Sequence, residues 1–222
     1  MAMTRPRSAA ARPASAARPA SALPARRGRP GYDRQALLAV AVAVFNERGY
    51  DGTSMEDLSR RLGIAKSSIY YHVDGKEDLL RMALDHALDG LFSVVAQVAE
   101  RDERAIDRLE YLVRGSVAVL ADRLPYVTLL LRARGNTGTE RRALARRREF
   151  DAIVADLVAE AERDGDIRPD VDPAVTARLL FGMVNSIVEW YRPGRRRADD
   201  GLADAVCAVA FDGLRLRRLL HS

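Results

Sequence analysis

The stretch Thr53–Lys76, T-S-M-E-D-L-S-R-R-L-G-I-A-K-S-S-I-Y-Y-H-V-D-G-K, leaves the chain little local freedom. Met55, Leu58 and Leu62 recur at i, i+3 and i+7, on one face of a helix. Thr53 or Ser54 can cap that helix, because Glu56 and Asp57 follow at capping-box spacing. Gly63 stops it, since glycine takes the left-handed C-cap conformation at no steric cost. Ser67 or Ser68 can open a second helix, with Ile69 and Val73 inward and Lys66, Ser68, Tyr71 and His72 outward. Asp74-Gly75 ends it, and Lys76 opens the next helix. Two short helices across a glycine turn, the second with polar outward residues, form a helix-turn-helix, whose second helix fits the major groove of DNA. The outward set suits that partner. Lysine reaches a base edge or a phosphate, serine donates to phosphate, and tyrosine and histidine join a flat apolar face to a polar tip.

The flanking segments read as helices too. Leu37, Leu38, Ala41, Val44 and Phe45 recur at helical spacing from about Asp33 to Arg48, where Gly49 ends the run. A long helix is expected from Lys76 to about Glu100, followed by Arg104–Arg123, Pro125–Leu131, Thr139–Arg163, Pro173–Tyr191 and a last helix from about Asp199 to Leu219. Asp172 is the expected N-cap of the helix that Pro173 starts. No strand pattern appears. The expectation is an all-α chain of about nine helices, with a tail at 1–30, a DNA-binding domain at 31–80 and a helical body at 81–222. The last two helices are apolar on more than one side, and such helices must bury more than one side.

Charge is unevenly spread. Residues 1–30 hold seven arginines, five prolines and no acid, whereas the whole chain is +5, so the remainder sums to −2. The tail has no apolar periodicity and is expected to be disordered. It ends in Arg26-Arg27-Gly28-Arg29-Pro30, where Arg27 and Arg29 can enter a narrow minor groove or attract phosphates without sequence preference. Residues 31–80 hold six basic and eight acidic side chains. The helix-turn-helix is therefore not a basic patch, and its affinity has to come from a few placed contacts.

The run from Phe45 to Leu80 resembles the DNA-binding domain of the TetR family of bacterial transcriptional regulators. The match spans Tyr32 to Met82. It rests on the order of the glycines, the Tyr70-Tyr71-His72 run and the opening Lys76-Glu77-Asp78-Leu79-Leu80. The resemblance implies that Ser54 (or Thr53) and Lys76 contact backbone phosphates. It places Lys66, Ser67, Ser68, Tyr70, Tyr71 and His72 at positions used for base or backbone contact, with Lys66 and Ser68 the preferred base readers. Tyr70 can instead pack into the domain's own core. The resemblance also implies a homodimer formed by the last two main helices, bound to palindromic double-stranded DNA, and a small hydrophobic effector held in the body. Leu129–Gly165 and the later G-M-V-N-S-I-V-E-W-Y-R-P are similar to regulators of fatty-acid, steroid and phenylacetate catabolism, some of which answer to acyl-CoA thioesters. Such a ligand needs an apolar slot and cations. Tyr111, Met183, Val184, Ile187 and Trp190 are candidates for the first, and Arg132, Arg134, Arg141 and Arg142 for the second.

Catalysis finds little support. The three histidines, His72, His86 and His221, are scattered, and His86 beside Asp85 and Asp89 offers too few convergent ligands for a metal. No phosphate loop or nucleophile elbow is present, and no cofactor is expected. The single cysteine, Cys207, excludes an internal disulfide and reads as a small core residue, with a redox sensor as the alternative. No apolar run reaches membrane-spanning length, so a cytoplasmic regulator is expected. The rival reading is an architectural DNA-binding protein without an effector. Deleting residues 1–30 should weaken DNA binding and flatten its salt dependence in anisotropy titrations. An unchanged slope would refute a direct role for the tail.

Overall fold

A computed structural model describes residues 33–192 and 201–213. The described residues form nine α-helices and no strand: α1 Arg34–Arg48, α2 Met55–Leu62, α3 Lys66–Tyr70, α4 Lys76–Ala99, α5 Ala105–Asp122, α6 Leu124–Arg132, α7 Gly138–Arg163, α8 Pro173–Trp190 and α9 Leu202–Cys207. A π-helical turn, Ala208–Asp212, follows. The last helix is thus shorter than expected within the described residues. The start and end expected for it, Asp199 and Leu219, lie outside them.

Local chemistry sets the ends. Asp33 accepts from the Ala36 amide, Asp172 from Val175, and Thr137 and Glu140 close a capping box on α7. The Leu124-Pro125 start of α6 follows from proline's fixed φ and missing N–H, which fit a first turn. Gly63 sits at φ 66°, ψ 32°, the left-handed cap that turns α2 towards α3.

One apolar cluster runs from Leu37 on α1 to Cys207 on α9. Helix α4 is its spine, about 36 Å long at 1.5 Å per residue, and packs against α1, α5, α6 and α7. Its buried residues extend from Leu79 and Leu80 to Val94 and Val98. Helices α4 and α7 lie side by side and parallel. Thr139 Oγ1 donates to Glu77 Oε1 at 2.8 Å, Arg146 Nη2 donates to Asp89 Oδ1 at 2.9 Å, and the Phe150 and Phe92 rings meet edge-on at 6.4 Å. Both helices therefore begin at the same end of the bundle.

Helices α4 and α5 approach closely at Gly115, where an added Cβ would lie 2.4 Å from Val94 Cγ1. Cys207 is buried, and burial pushes its thiol up to about 11, so it stays a neutral core side chain. Gly115→Val is expected to cost about 1–3 kcal/mol through overpacking, read as a fall of several degrees in Tm. Val94→Ala in the same chain should recover part of the loss.

Candidate DNA-contact surface and ligand cavity

The helix-turn-helix is held from below and bare above. Met55, Leu58, Leu62, Ile69 and Val73 are buried as their spacing predicts. Helix α3 begins at Lys66 and leaves the helical pattern after Tyr70, earlier than expected, although Tyr71, His72 and Val73 still donate back to Ser67 and Ile69. Its outer side carries Lys66, Ser67, Ser68, Tyr70 and Tyr71, all exposed. The Tyr71 side chain is 86% exposed, and His72 is half-buried with its ring edge-on to Tyr71 at 5.1 Å. Ser67 and Ser68 make no side-chain hydrogen bond among the described residues. Tyr70 is 47% exposed, so it does not pack into the core.

Four of the residues expected to contact DNA are already engaged. Lys66 Nζ pairs with the Glu56 carboxylate, which holds that acid below its usual range. Both partners are exposed, so the pair is screened by water and readily exchanged. Ser54 caps α2, donating its hydroxyl to Asp57 Oδ2 at 2.6 Å while accepting from the Asp57 amide. Lys76 Nζ donates to the Tyr50 carbonyl at 2.9 Å and lies 4.2 Å from that ring's centroid. Thr53 does not reach the surface. It is only 2% exposed and donates its hydroxyl to the Gly49 carbonyl at 2.8 Å, so of the alternatives Thr53 and Ser54 only Ser54 faces solvent. Arg27 and Arg29 lie outside the described residues.

The expected ligand residues do not converge. Tyr111 donates to Gln97 Oε1 at 2.7 Å under the Arg101 guanidinium. Arg132 Nη1 donates to the Asn46 carbonyl at 3.0 Å, and Arg134 lines a cleft beside Tyr50. Ile187 is core, while Trp190 is 57% exposed. Met183 faces a separate cleft with Ile106, Leu109 and Leu179. The reason is periodicity: Leu180, Val184 and Ile187 take the inward stripe of α8, which turns Leu179, Met183 and Trp190 to its flank.

Of the expected slot residues only Val184 lines a small cavity of about 30 Å³ among α4 to α8, and the rest of its lining was not anticipated. Leu91, Leu120, Val127, Leu130, Phe150 and Phe181 give it apolar walls, and Ser116, Arg147, Asp151 and Asn185 add polar groups. The Ser116 hydroxyl is buried without a partner among the described residues, unlike Thr128, which donates back to Leu124. Sequence reasoning missed these polar residues because they come from three helices, Ser116 on α5, Arg147 and Asp151 on α7 and Asn185 on α8, and only Arg147 and Asp151 share a spacing. His86 is half-buried, its ring 4.5 Å from that of Tyr126 and tilted by 58°, and burial lowers its pKa.

Comparison with known proteins fits this architecture. Residues 37–83 match the model of bacterial regulatory proteins of the tetR family, and residues 102–214 match that of the tetracyclin repressor-like C-terminal domain. The HTH-type transcriptional repressor KstR2 of Rhodococcus jostii is 28% identical over 191 residues, covering 82% of this chain and 90% of that protein. The crystal structure of SCO3833, a TetR-family regulator from Streptomyces coelicolor A3, superposes with a TM-score of 0.76 at 56% identity, covering 81% of this chain and 91% of that one. AibR, solved with isovaleryl coenzyme A and operator DNA, superposes with a TM-score of 0.68 at 28% identity over 80% of this chain and 97% of that one. With both halves of the pattern matched and an overall neighbour more than half identical, the chain belongs to the TetR family of bacterial transcriptional regulators.

Proposed function

We propose that the chain is a ligand-responsive repressor, not an enzyme, that acts in the cytoplasm as a homodimer on palindromic DNA. The observation that carries the DNA-binding half is the outer side of α3. Lys66, Ser67 and Ser68 stand on a helix whose one buried residue is Ile69, with Tyr71 just past its end, and all four side chains are exposed. In this reading residues 31–80 form the DNA-binding domain, 81–222 the ligand-binding and dimerisation body, and 1–30 a basic arm that brings Arg27 and Arg29 to the duplex. Lys66 and Ser68 read bases, while Ser54, Lys76, Tyr71 and His72 position the backbone. Leu179, 67% exposed, stands with Val175 and Trp190 as apolar surface on α8 that a second copy would cover.

The effector half rests on the cavity among α4 to α8. A space of about 30 Å³ admits roughly one water molecule, whereas ligand sites run to about 300 Å³ or more. Binding must therefore part the helices that line it. Val127 and Leu130 line it from α6, and the same helix meets α1, where Asn46 Nδ2 donates to the Pro125 carbonyl at 2.8 Å and Arg132 returns a bond to the Asn46 carbonyl. A ligand that displaces α6 would thereby shift α1 and the spacing of the two DNA-binding surfaces. Its leverage is limited to its differential affinity for the two states. The likeness to AibR supports an acyl-CoA thioester as the effector, and the apolar walls suit its acyl part.

A footprint on DNA upstream of the chain's own gene should reveal a palindrome, and isovaleryl coenzyme A or a longer acyl-CoA should raise Tm and release that DNA. If no acyl-CoA does either, the effector class is wrong. Tyr71→Ala should weaken binding to all sequences while leaving stability within about 0.5 kcal/mol. Lys66→Ala should also relax sequence preference. Equal weakening on operator and random DNA would remove Lys66 as a base reader.

A further inference from the structure

The helix-turn-helix region is short of positive charge. Six basic against eight acidic side chains in residues 31–80 leave it at −2, and its Lys66 is paired with Glu56. A duplex presents about one phosphate charge per 1.7 Å of axis, so cations are needed close by.

The structure supplies them at the α6–α7 corner. Because α4 and α7 run parallel, the start of α7 stands level with the start of α4, where Lys76 lies. The link is direct: Arg142 Nη2 donates to Thr139 Oγ1 at 2.9 Å, and Thr139 donates to Glu77, the neighbour of Lys76. Arg141 beside it donates to the Gly135 carbonyl at 3.1 Å, and Arg134 lines the cleft that Tyr50 shares. Arg134, Arg141 and Arg142 are exposed, and among the described residues none of them pairs with a carboxylate. Arg146, one turn further along α7, bonds Asp85 and Asp89 instead. Three guanidiniums without a carboxylate partner among the described residues thus stand together at the end of α7 nearest Lys76. Their anchoring to Thr139 and to loop carbonyls holds two of them in place, which limits the entropy cost of gripping a phosphate.

We propose that Arg134, Arg141 and Arg142 form a second DNA contact, outside the helix-turn-helix, that grips backbone phosphates flanking the site read by α3. The contact is electrostatic and carries no sequence preference. It rests on the reading of α2, α3 and the start of α4 as the DNA-binding surface, and it assigns these arginines to DNA rather than to the phosphates of a bound ligand.

The test is an anisotropy titration of the full chain on a random-sequence duplex longer than two half-sites, between about 50 and 200 mM salt. Replacing all three arginines by glutamine should lower the slope of log K against log salt by about 0.9 for each phosphate that is no longer neutralised, with at least a tenfold fall in affinity at the lower salt. The triple Arg→Lys chain should keep most of the slope, because charge and not a structural hydrogen bond is at work. Tyr71→Ala serves as the control for the helix-turn-helix. If Tyr71→Ala weakens binding but the glutamine variant keeps the wild-type slope, the second contact is wrong and the DNA-binding surface stands. If neither change weakens binding, the surface reading fails and the second contact with it. An unchanged DNA slope together with abolished binding of free coenzyme A would assign the arginines to ligand phosphates and overturn the proposal.

Discussion

Everything in this molecule leans on α4. A continuous helix of this length cannot bend sharply without a proline, a glycine pair or an inserted group, and none interrupts its buried row from Leu79 to Val98. One rod thus serves two cores. Its first turns complete the core under the helix-turn-helix, and its later turns complete the core with α5 and α7. Because the rod is stiff, a change at one end reaches the other as a rigid displacement. The bonds at Asn46, Arg132 and Thr139 then decide how that displacement is shared among α1, α6 and α7.

Polar contacts as well as apolar ones join α1 and α4 to α5, α6 and α7. Thr139 meets Glu77, Arg132 meets the Asn46 carbonyl, and Arg123 Nη1 donates to the His86 carbonyl at 2.6 Å. Each such bond contributes only about 0.5–1.5 kcal/mol net. They are directional, however, and can be exchanged for water without opening the apolar core. Polar seams over a stiff apolar spine suit a protein that must change the relation of its parts without unfolding any of them.

Much of this was legible in the residues. Apolar spacing located the helices from α1 to α8, and Gly63, Pro125 and Asp172 marked ends that the structure keeps. Thr137-Gly138-Thr139-Glu140 carried a capping-box signal that starts α7 at Gly138, one residue before the expected Thr139. The outward set on α3 was readable because one helix carries all of it. The cavity was not. Its walls come from α4 to α8, and no local pattern says that Ser116 and Asn185 face the same space. Choosing residues by type along α8 picked Met183 and Trp190, whose positions a full turn count places beside the inward stripe rather than within it. Thr53 and Ser54 looked equivalent in sequence, and only the chain's entry into α2 buries one and exposes the other.

The parallel pairing of α4 with α7 has a consequence for how the chain is made. Partners such as Glu77 and Thr139 are separated by 62 residues. A ribosome adding about 5–20 residues per second presents α4 roughly 3–12 s before α7 can cover it. The helix-turn-helix can close locally on the first turns of α4 in that interval. Leu88, Val94 and Val98 cannot be fully covered until α5 and then α7 emerge. During synthesis this regulator therefore passes through a stage in which its nucleic-acid-binding end is formed and its control end is still an exposed apolar stripe.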